Sequence, residues 1–428
     1  MSSMFVRVQH KQYGPFSSAE LKNLVATGKF TAQDMVYHED EDQWVKAENH
    51  EELQNLFSGQ AEQEYQRKVY AIGGGKGGVG KTVLTASLGI GLAASKRNVV
   101  IVDADLGGAN LHTCMGILEP KYTFFHFYTL QCEHLQDILL DTPIENLKLI
   151  SGTCGTLGLA NPRYSQKLRF IKELKTLVAD DILLDLGAGS SYNVIDFFLA
   201  ADEGIIVTSP EPMAIQESFN FLKVCLLRKL HYTFRGHSGV MELFEQEDIM
   251  QPGRMSVTMD DILSQVRTID SDAGTQFEQI LKEYHPKLIL NMVYEADEIK
   301  EGLAYQAAVA ELLSLDVEFL GYIEYDDSVR YAVKELRPFI ISNPRSKASK
   351  SLAKIITTKF QSKSGWQGFR EKRRLYKEMA DESFLYPIPD LHQSATICSV
   401  HCFYWGDCEY QNGGHPCAVR HLEPIFKK

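Results

Sequence analysis

Residues 73–82 read Gly-Gly-Gly-Lys-Gly-Gly-Val-Gly-Lys-Thr, and six glycines, two lysines and a threonine in ten positions suit one chemistry, the binding of phosphate. Within this run Gly75, Gly80, Lys81 and Thr82 satisfy the spacing of a phosphate-binding loop, with an apolar strand-like run before it and a helical pattern after it. Glycines let backbone N–H groups turn toward an anion at the start of a helix. The Lys81 ammonium would then face the β- and γ-phosphates, and the Thr82 hydroxyl would bind Mg²⁺. The candidate nucleotide-binding stretch is Gly75, Lys76, Gly77, Gly78, Val79, Gly80, Lys81, Thr82 and Val83. The plain alternative is a glycine-rich turn with no ligand.

Further carboxylates follow at strand ends. The run Val99–Val102 leads into Asp103 and Asp105, and then Gly107, Gly108 and Asn110. The run Ile182–Leu184 leads into Asp185, followed by Gly187, Ala188 and Gly189. Phosphoryl transfer needs water held in line and charge neutralised more than it needs a strong base. Two aspartates beside paired glycines, about one strand–helix unit after the loop, are suited to that.

Lys76 inside Lys-Gly-Gly-Val-Gly-Lys-Thr resembles the signature lysine of the MinD/ParA/Mrp branch of P-loop ATPases. That resemblance implies an ATP-dependent homodimer in which Lys76 reaches the partner subunit's nucleotide, with Lys76, Lys81 and Asp105 as catalytic residues. It also implies that Asp103 orders the magnesium water shell, that Asp105 positions the attacking water, and that Asn110 lies by the phosphates or the dimer interface. Asp185 would hold Mg²⁺ through water, together with Thr82 and Asp103, and Gly187 would sense the γ-phosphate. Gly187-Ala188-Gly189 and Thr208-Ser209-Pro210-Glu211-Pro212 resemble segments of FlhG proteins, regulators of flagellar number, which puts Pro210 and Glu211 near the nucleotide base. Asn291 matches an asparagine that reads adenine, although Met292 stands where the family has a basic residue. The resemblance spans about 68–344 and implies the cofactors ATP and Mg²⁺.

Seven short apolar runs, near residues 69–72, 99–102, 147–150, 182–184, 204–207, 288–290 and 319–321, must carry these residues. Continuous apolar runs between helical stretches suit strands buried on both faces. The expected fold is α/β, a doubly wound, mostly parallel sheet spanning 67–345, with residues 231–284 as an insertion. Residues 1–57 read as a small α+β module and 58–66 as a linker. In the module, Phe5–Val8 alternates like a strand, Tyr13–Phe16 reads as a turn, and Ser17 with Glu20 reads as a capping box. These features and Trp44 resemble a GYF-like domain. The resemblance implies a protein partner, a proline-rich peptide on an aromatic surface. The alternative is that Tyr13, Phe16 and Trp44 form the module's own core.

The chain has 428 residues, 44% hydrophobic and 23% charged, with a formal charge of −12. That balance excludes a surface basic throughout. No apolar run is long enough to cross a bilayer, and residues 1–9 lack the layout of a signal peptide, so a cytoplasmic protein is expected, which the FlhG resemblance implies is bacterial. Between residues 344 and 377 there are eleven Lys or Arg residues and one acidic residue, Glu371. Leu352, Ile355, Ile356 and Phe360 share one helical face there, which implies packing against the ATPase with the lysines in solvent. The remainder, 366–377, could meet an anionic membrane or the DNA backbone.

Residues 346–428 form a C-terminal extension in which Cys398, Cys402, Cys408 and Cys417 fall within twenty residues. In a reducing compartment such crowding suits Zn²⁺ or an iron–sulfur cluster better than disulfides. The leading function is therefore an ATP-hydrolysing switch that positions or regulates a cellular assembly. The alternatives are an iron–sulfur or metal carrier or reductase of the Mrp type and a ParA-type DNA-bound partitioning protein.

Overall fold

The computed structural model describes residues 4–8, 11–17, 20–21, 24, 30, 34–38, 43–47, 50, 53, 67–152, 162–245 and 258–360. The chain divides into two compact units, Met1–Gln66 and Arg67–Lys428. Cys398, Cys402, Cys408 and Cys417, the basic residues 366–377 and the linker 58–66 lie outside the described residues.

In the first unit, β1 (Met4–Val8), β2 (Lys11–Phe16), β3 (Met35–His38) and β4 (Gln43–Lys46) form an antiparallel sheet in the order 2-1-3-4. Met4, Val6 and Val36 alternate onto the buried face and meet Leu21, Phe30, Ala47 and Leu53. The expected capping box is present: Ser17 N donates to Glu20 Oε2 at 2.8 Å, and Glu20 N to Ser17 Oγ at 3.4 Å. Tyr13–Phe16 is not a free turn. It is the end of β2, with the register to β1 shifting between Met4 and Val6. That irregularity accommodates Pro15, which has no N–H for a ladder, and Gly14 at φ +126°. Tyr13 and Trp44 are also not core residues. Tyr13 is 48% exposed. Trp44 stands across from Tyr37 on the other face of the sheet, with the Arg7 guanidinium 4.1 Å from its ring centre.

The second unit is built on eight strands in the order β12-β11-β10-β5-β9-β6-β8-β7. The seven expected runs are all strands: β5 Lys68–Gly73, β6 Val99–Ala104, β8 Leu147–Ile150, β9 Asp181–Leu186, β10 Glu203–Thr208, β11 Lys287–Val293 and β12 Glu318–Glu324. All pair in parallel. Only the two-residue edge strand β7, Leu140–Asp141, runs antiparallel, beside β8.

The strand period of two divides the apolar residues between two cores. Ala71, Val100, Val102, Ile182, Leu184 and Ile206 face one layer, with Phe170, Phe197, Phe221 and Tyr305 from its helices. Tyr70, Ile72, Val99, Ile101, Leu183, Ile205 and Val207 face the other. This is the doubly wound arrangement expected from the sequence.

The first layer contains α2 (Tyr164–Leu174), α3 (Tyr192–Ala200), α4 (Pro212–Phe234) and α8 (Ile299–Leu313). It also holds α5 (Ser238–Phe244), α6 (Met259–Ile269) and α7 (Ser271–Glu283). These three supply Leu243, Ile262, Val266, Phe277 and Ile280, all buried against the long α4 layer. Ile249, grouped with them on sequence, is outside the described residues. Helix α4 runs on to Phe234, past the expected start of the insertion at 231.

The second layer contains α1 (Lys81–Ala93), α9 (Asp327–Lys334) and α10 (Lys347–Ile355), which ends in a π turn, Ile356–Phe360. Leu352 and Ile356 are fully buried in this core, so the compact fold continues past residue 345, where the composition changes. Asp326 fixes the junction. Its carboxylate accepts from Ser328 N at 3.0 Å at the start of α9, and from Lys347 N at 2.8 Å at the start of α10. Leu352→Ala should therefore cost about 2–5 kcal/mol in urea unfolding, whereas Lys350→Ala on the solvent face should stay within about 0.5 kcal/mol. Equal effects would mean that α10 is not part of the core.

Candidate functional site

The glycine-rich loop begins at the C-terminal end of β5 and runs into α1, so it lies where parallel strands leave an opening at the sheet edge. Gly75 is required by close approach: a Cβ there would overlap the Glu217 carbonyl oxygen in α4. Gly80, at φ +89°, is the residue before α1, and a Cβ on it would meet Asn291 Nδ2 at 2.5 Å. Asn291, at the end of β11, donates that Nδ2 to Val79 O at 2.8 Å. It thus braces the loop from a neighbouring strand. A cavity of about 490 Å³ opens here, lined by Gly78, Lys81, Thr82, Asp105, Asn291 and Tyr325 among others. Gly77, Gly80, Val83 and Met292 also line it.

Lys81 is 7% exposed, and its ammonium donates to the Lys76 carbonyl at 3.2 Å. Burial holds its pKa below the usual lysine range, while Asp185 and Asp105 pull it back up. Asp103 and Asp185 are register partners on the adjacent strands β6 and β9, and both are buried. Burial pushes Asp185 up to about 7, and hydrogen bonding from Thr82 and the charge of Lys81 oppose the rise. Asp103 is raised well above the carboxylate range, by burial first and then by the charge of Asp185.

The two aspartates do different things. Asp185 Oδ1 accepts from Thr85 Oγ1 at 3.3 Å, which turns it toward α1. Asp103 accepts from Leu111 N at 2.9 Å and Asp105 N at 3.3 Å, which ties the following loop to its strand. Asp105 accepts from Gly108 N at 3.0 Å, and a Cβ on Gly187 would meet Asp105 Oδ1 at 3.0 Å. The loops after β6 and β9 therefore touch at Asp105 and Gly187. Gly189 N donates to Gly74 O at 3.3 Å, which joins the second of these loops to the phosphate loop. Asn110 turns back on its own loop and donates to Gly108 O at 2.6 Å.

The donor set suits a hard divalent cation. Thr82, Asp185 and Asp103 offer only oxygen, both carboxylates are buried, and the Lys81 ammonium offsets the charge of Asp185. The loop's helix start and its buried lysine suit a polyphosphate.

Of the residues singled out on sequence, Gly77, Gly78, Gly80, Lys81, Thr82, Val83, Asp105 and Asn291 line the cavity. Gly75, Lys76, Val79, Asp103, Asn110, Asp185, Gly187, Pro210 and Glu211 lie outside that lining. Glu211 faces Lys76, at 3.7 Å, and takes a short hydrogen bond from Ser209 Oγ. Sequence reasoning missed Thr85, although four residues after Lys81 places it on the same helical face. It also missed Tyr325, just beyond β12, whose ring stacks on Tyr294 at 4.2 Å. Among the described residues no group of three or more His, Cys, Asp or Glu side chains is arranged to hold a metal ion, and no described helix is long and apolar enough to cross a membrane.

Residues 70–339 match the CobQ/CobB/MinD/ParA nucleotide binding domain family, and residues 5–53 match GYF domain 2. The antiactivator FleN of Pseudomonas aeruginosa is 28% identical over 286 residues, covering 66% of this chain and 82% of FleN. The septum site-determining protein MinD of Bacillus subtilis is 26% identical over 285 residues, covering 66% of this chain and 94% of that protein. Among solved structures, the septum site-determining protein MinD of Pyrococcus horikoshii, complexed with Mg-ADP, aligns over 68% of this chain and 95% of its own. Its TM-score is 0.47 and its identity 23%.

The buried carboxylates set a pH dependence. Because Asp185 titrates near 7 in the folded chain, above an exposed aspartate, its charge costs nothing below about pH 4 and its full amount above about pH 7. Asp185→Asn should therefore stabilise the nucleotide-free protein at pH 8, by on the order of 1–4 kcal/mol, with the gain shrinking toward pH 5. Added Mg²⁺ should raise the urea midpoint of the parent chain and not of the variant. A variant less stable at pH 8 would contradict the charge cost assigned to Asp185.

Proposed function

The chain belongs to the CobQ/CobB/MinD/ParA nucleotide-binding family, and on that premise we propose that it is an ATP-hydrolysing dimer switch that positions or regulates a cellular assembly. The names of two relatives, an antiactivator and a septum site-determining protein, support the regulatory and positioning sense. The observation that carries the reading is the division between the two loop lysines. Lys81 is buried against the carboxylates, whereas the Lys76 side chain is 34% exposed on the outside of the loop. A buried lysine serves the nucleotide of its own subunit, and an outward one can serve a nucleotide brought up by another.

In this mechanism the loop amides and Lys81 would bind the β- and γ-phosphates, and Thr82 and Asp185 would hold Mg²⁺, with Asp103 ordering its water shell. The cation, when bound, neutralises phosphate charge. Asp105 sits where the loops after β6 and β9 meet, suited to orienting a water for in-line attack, and contact with Gly187 lets the second loop respond to the γ-phosphate. Asn291 and the cavity beyond it accept the base side of the nucleotide. Lys76 completes the site of the partner subunit. The N-terminal unit supplies a protein contact: Phe5, Tyr37 and Trp44 are successive cross-strand partners on the sheet face away from its core. Cys398, Cys402, Cys408 and Cys417 would add a thiolate site for zinc.

Light scattering with Mg²⁺ and ATP tests the reading. Lys81→Ala should abolish nucleotide binding, Asp105→Ala should accumulate an ATP dimer, and Lys76→Ala should bind ATP yet stay monomeric. A fully active Lys76→Ala chain would overturn the trans role. Anaerobic metal analysis should find zinc, and iron with sulfide would favour the carrier reading instead.

A further inference from the structure

Thr85 lies one turn into α1, four residues after Lys81, and its side chain is fully buried. Its hydroxyl has one proton and faces two acceptors, the Lys81 carbonyl oxygen at 3.0 Å and Asp185 Oδ1 at 3.3 Å. A threonine inside a helix often gives its proton to the carbonyl four residues back, and that contact alone is ordinary. The second acceptor is not. It comes from β9, 100 residues away in the chain, and it belongs to a carboxylate only 1% exposed. The Lys81 carbonyl lies inside α1, where the backbone N–H four residues on is its regular donor. Asp185 takes its donors from side chains, Thr82 and Thr85, and a charged oxygen forms the stronger hydrogen bond. The Thr85 proton therefore goes to Asp185. The two threonines are not equivalent, however. Thr82 lines the cavity and offers its oxygen to a cation, so its contacts change when one arrives. Thr85 is outside the lining and keeps one geometry throughout.

We infer that Thr85 is a positioning residue for the divalent cation, its hydroxyl fixing Asp185 Oδ1 so that the carboxylate meets the cation's water shell in one orientation. This rests on the cation site proposed above and deepens it. A carboxylate tied at one oxygen cannot turn about its Cβ–Cγ bond without breaking that hydrogen bond. An untied one has a broad torsion to sample, and it loses that freedom only when the cation binds. The loss then appears as weaker metal affinity. Donors that hold a metal's carboxylate ligands contribute roughly ten- to a hundredfold to that affinity, and the lower end applies where the carboxylate acts through water.

The test is Mn²⁺ binding to the full chain in the presence of ADP, read by electron paramagnetic resonance. Thr85→Val keeps the branched shape and removes the donor, whereas Thr85→Ser keeps the donor. In Thr85→Val, half-saturation should need on the order of tenfold more Mn²⁺, while ADP affinity in excess EDTA should match the parent. Thr85→Ser should bind Mn²⁺ as the parent does. Thr85→Ala, which also lacks the donor, gives the same reading if valine disturbs the packing. An unchanged Mn²⁺ titration in the donor-less variants overturns the inference. So does an equal loss of ADP affinity with and without metal, since Thr85 would then act through Lys81 and the loop. A parent chain that binds no Mn²⁺ with ADP sinks the cation site itself. The expected shift with no ATP-dependent dimer supports the role of Thr85 and removes the dimer switch.

Discussion

Two carboxylates buried on neighbouring strands, one of them beside the buried Lys81 ammonium, are the constraint around which the larger unit is arranged. Asp103 and Asp185 oppose each other across β6 and β9, where the parallel register leaves no choice of neighbour. A pair of unscreened negative charges in such a place is expensive, and the local structure distributes the cost. Thr82 and Thr85 donate to Asp185, to which Lys81 also supplies positive charge, and the backbone amides of Asp105 and Leu111 donate to Asp103. The compensation is incomplete, since both titrate above the usual aspartate range. What remains is a standing preference for a cation, and the loops that carry Asp105 and Gly187 are tethered to the same two residues. Filling the site therefore acts on those loops through the sheet itself.

This core of the site was legible because its chemistry follows chain order. The loop, the first pair of aspartates and the second aspartate each end an apolar strand, and period-two alternation of apolar residues sorted the strands into a two-faced sheet. The same logic gave Leu352, Ile355 and Ile356 their common helical face. What escaped were contacts between distant segments. Nothing local marks Asn291 as a brace for the Val79 carbonyl, since the two are separated by most of the unit. Nothing local marks Glu211 as the partner of the Lys76 ammonium. Tyr13–Phe16 misled for a different reason. Glycine and proline ordinarily break a strand, and here the register shift in β1 absorbed both.

The N-terminal unit shows the same limit in a smaller fold. A module of this size has little interior, so its large aromatics were natural candidates for the core. Its interior instead uses Met4, Val6, Leu21, Phe30, Val36, Ala47 and Leu53, which leaves Trp44 and Tyr37 on the opposite face of the sheet. Strand alternation forces that outcome: with Val6 and Val36 inward, their neighbours Phe5 and Tyr37 must point away. Arg7 over the Trp44 ring then covers part of an apolar surface with a cation that remains solvated at its edge. A face of this composition is suited to a ligand that presents apolar groups without charge.

The strength of each contact around the glycine-rich loop follows from how often it must change. The loop backbone is held by contacts that cannot relax, namely Gly75 against α4 and Val79 through Asn291. The loops after β6 and β9 are held by single hydrogen bonds of about 3 Å, each of which can be exchanged for one to a ligand at small net cost. Lys76 is held by the weakest contact, a solvated ion pair. A stronger, buried pair at Glu211 would bring a large desolvation cost each time the lysine left, and the loop would lose its freedom to report occupancy. An absent pair would leave the lysine to sample every rotamer, at a side-chain entropy cost of about 2 kcal/mol on engagement. The observed geometry lies between those limits.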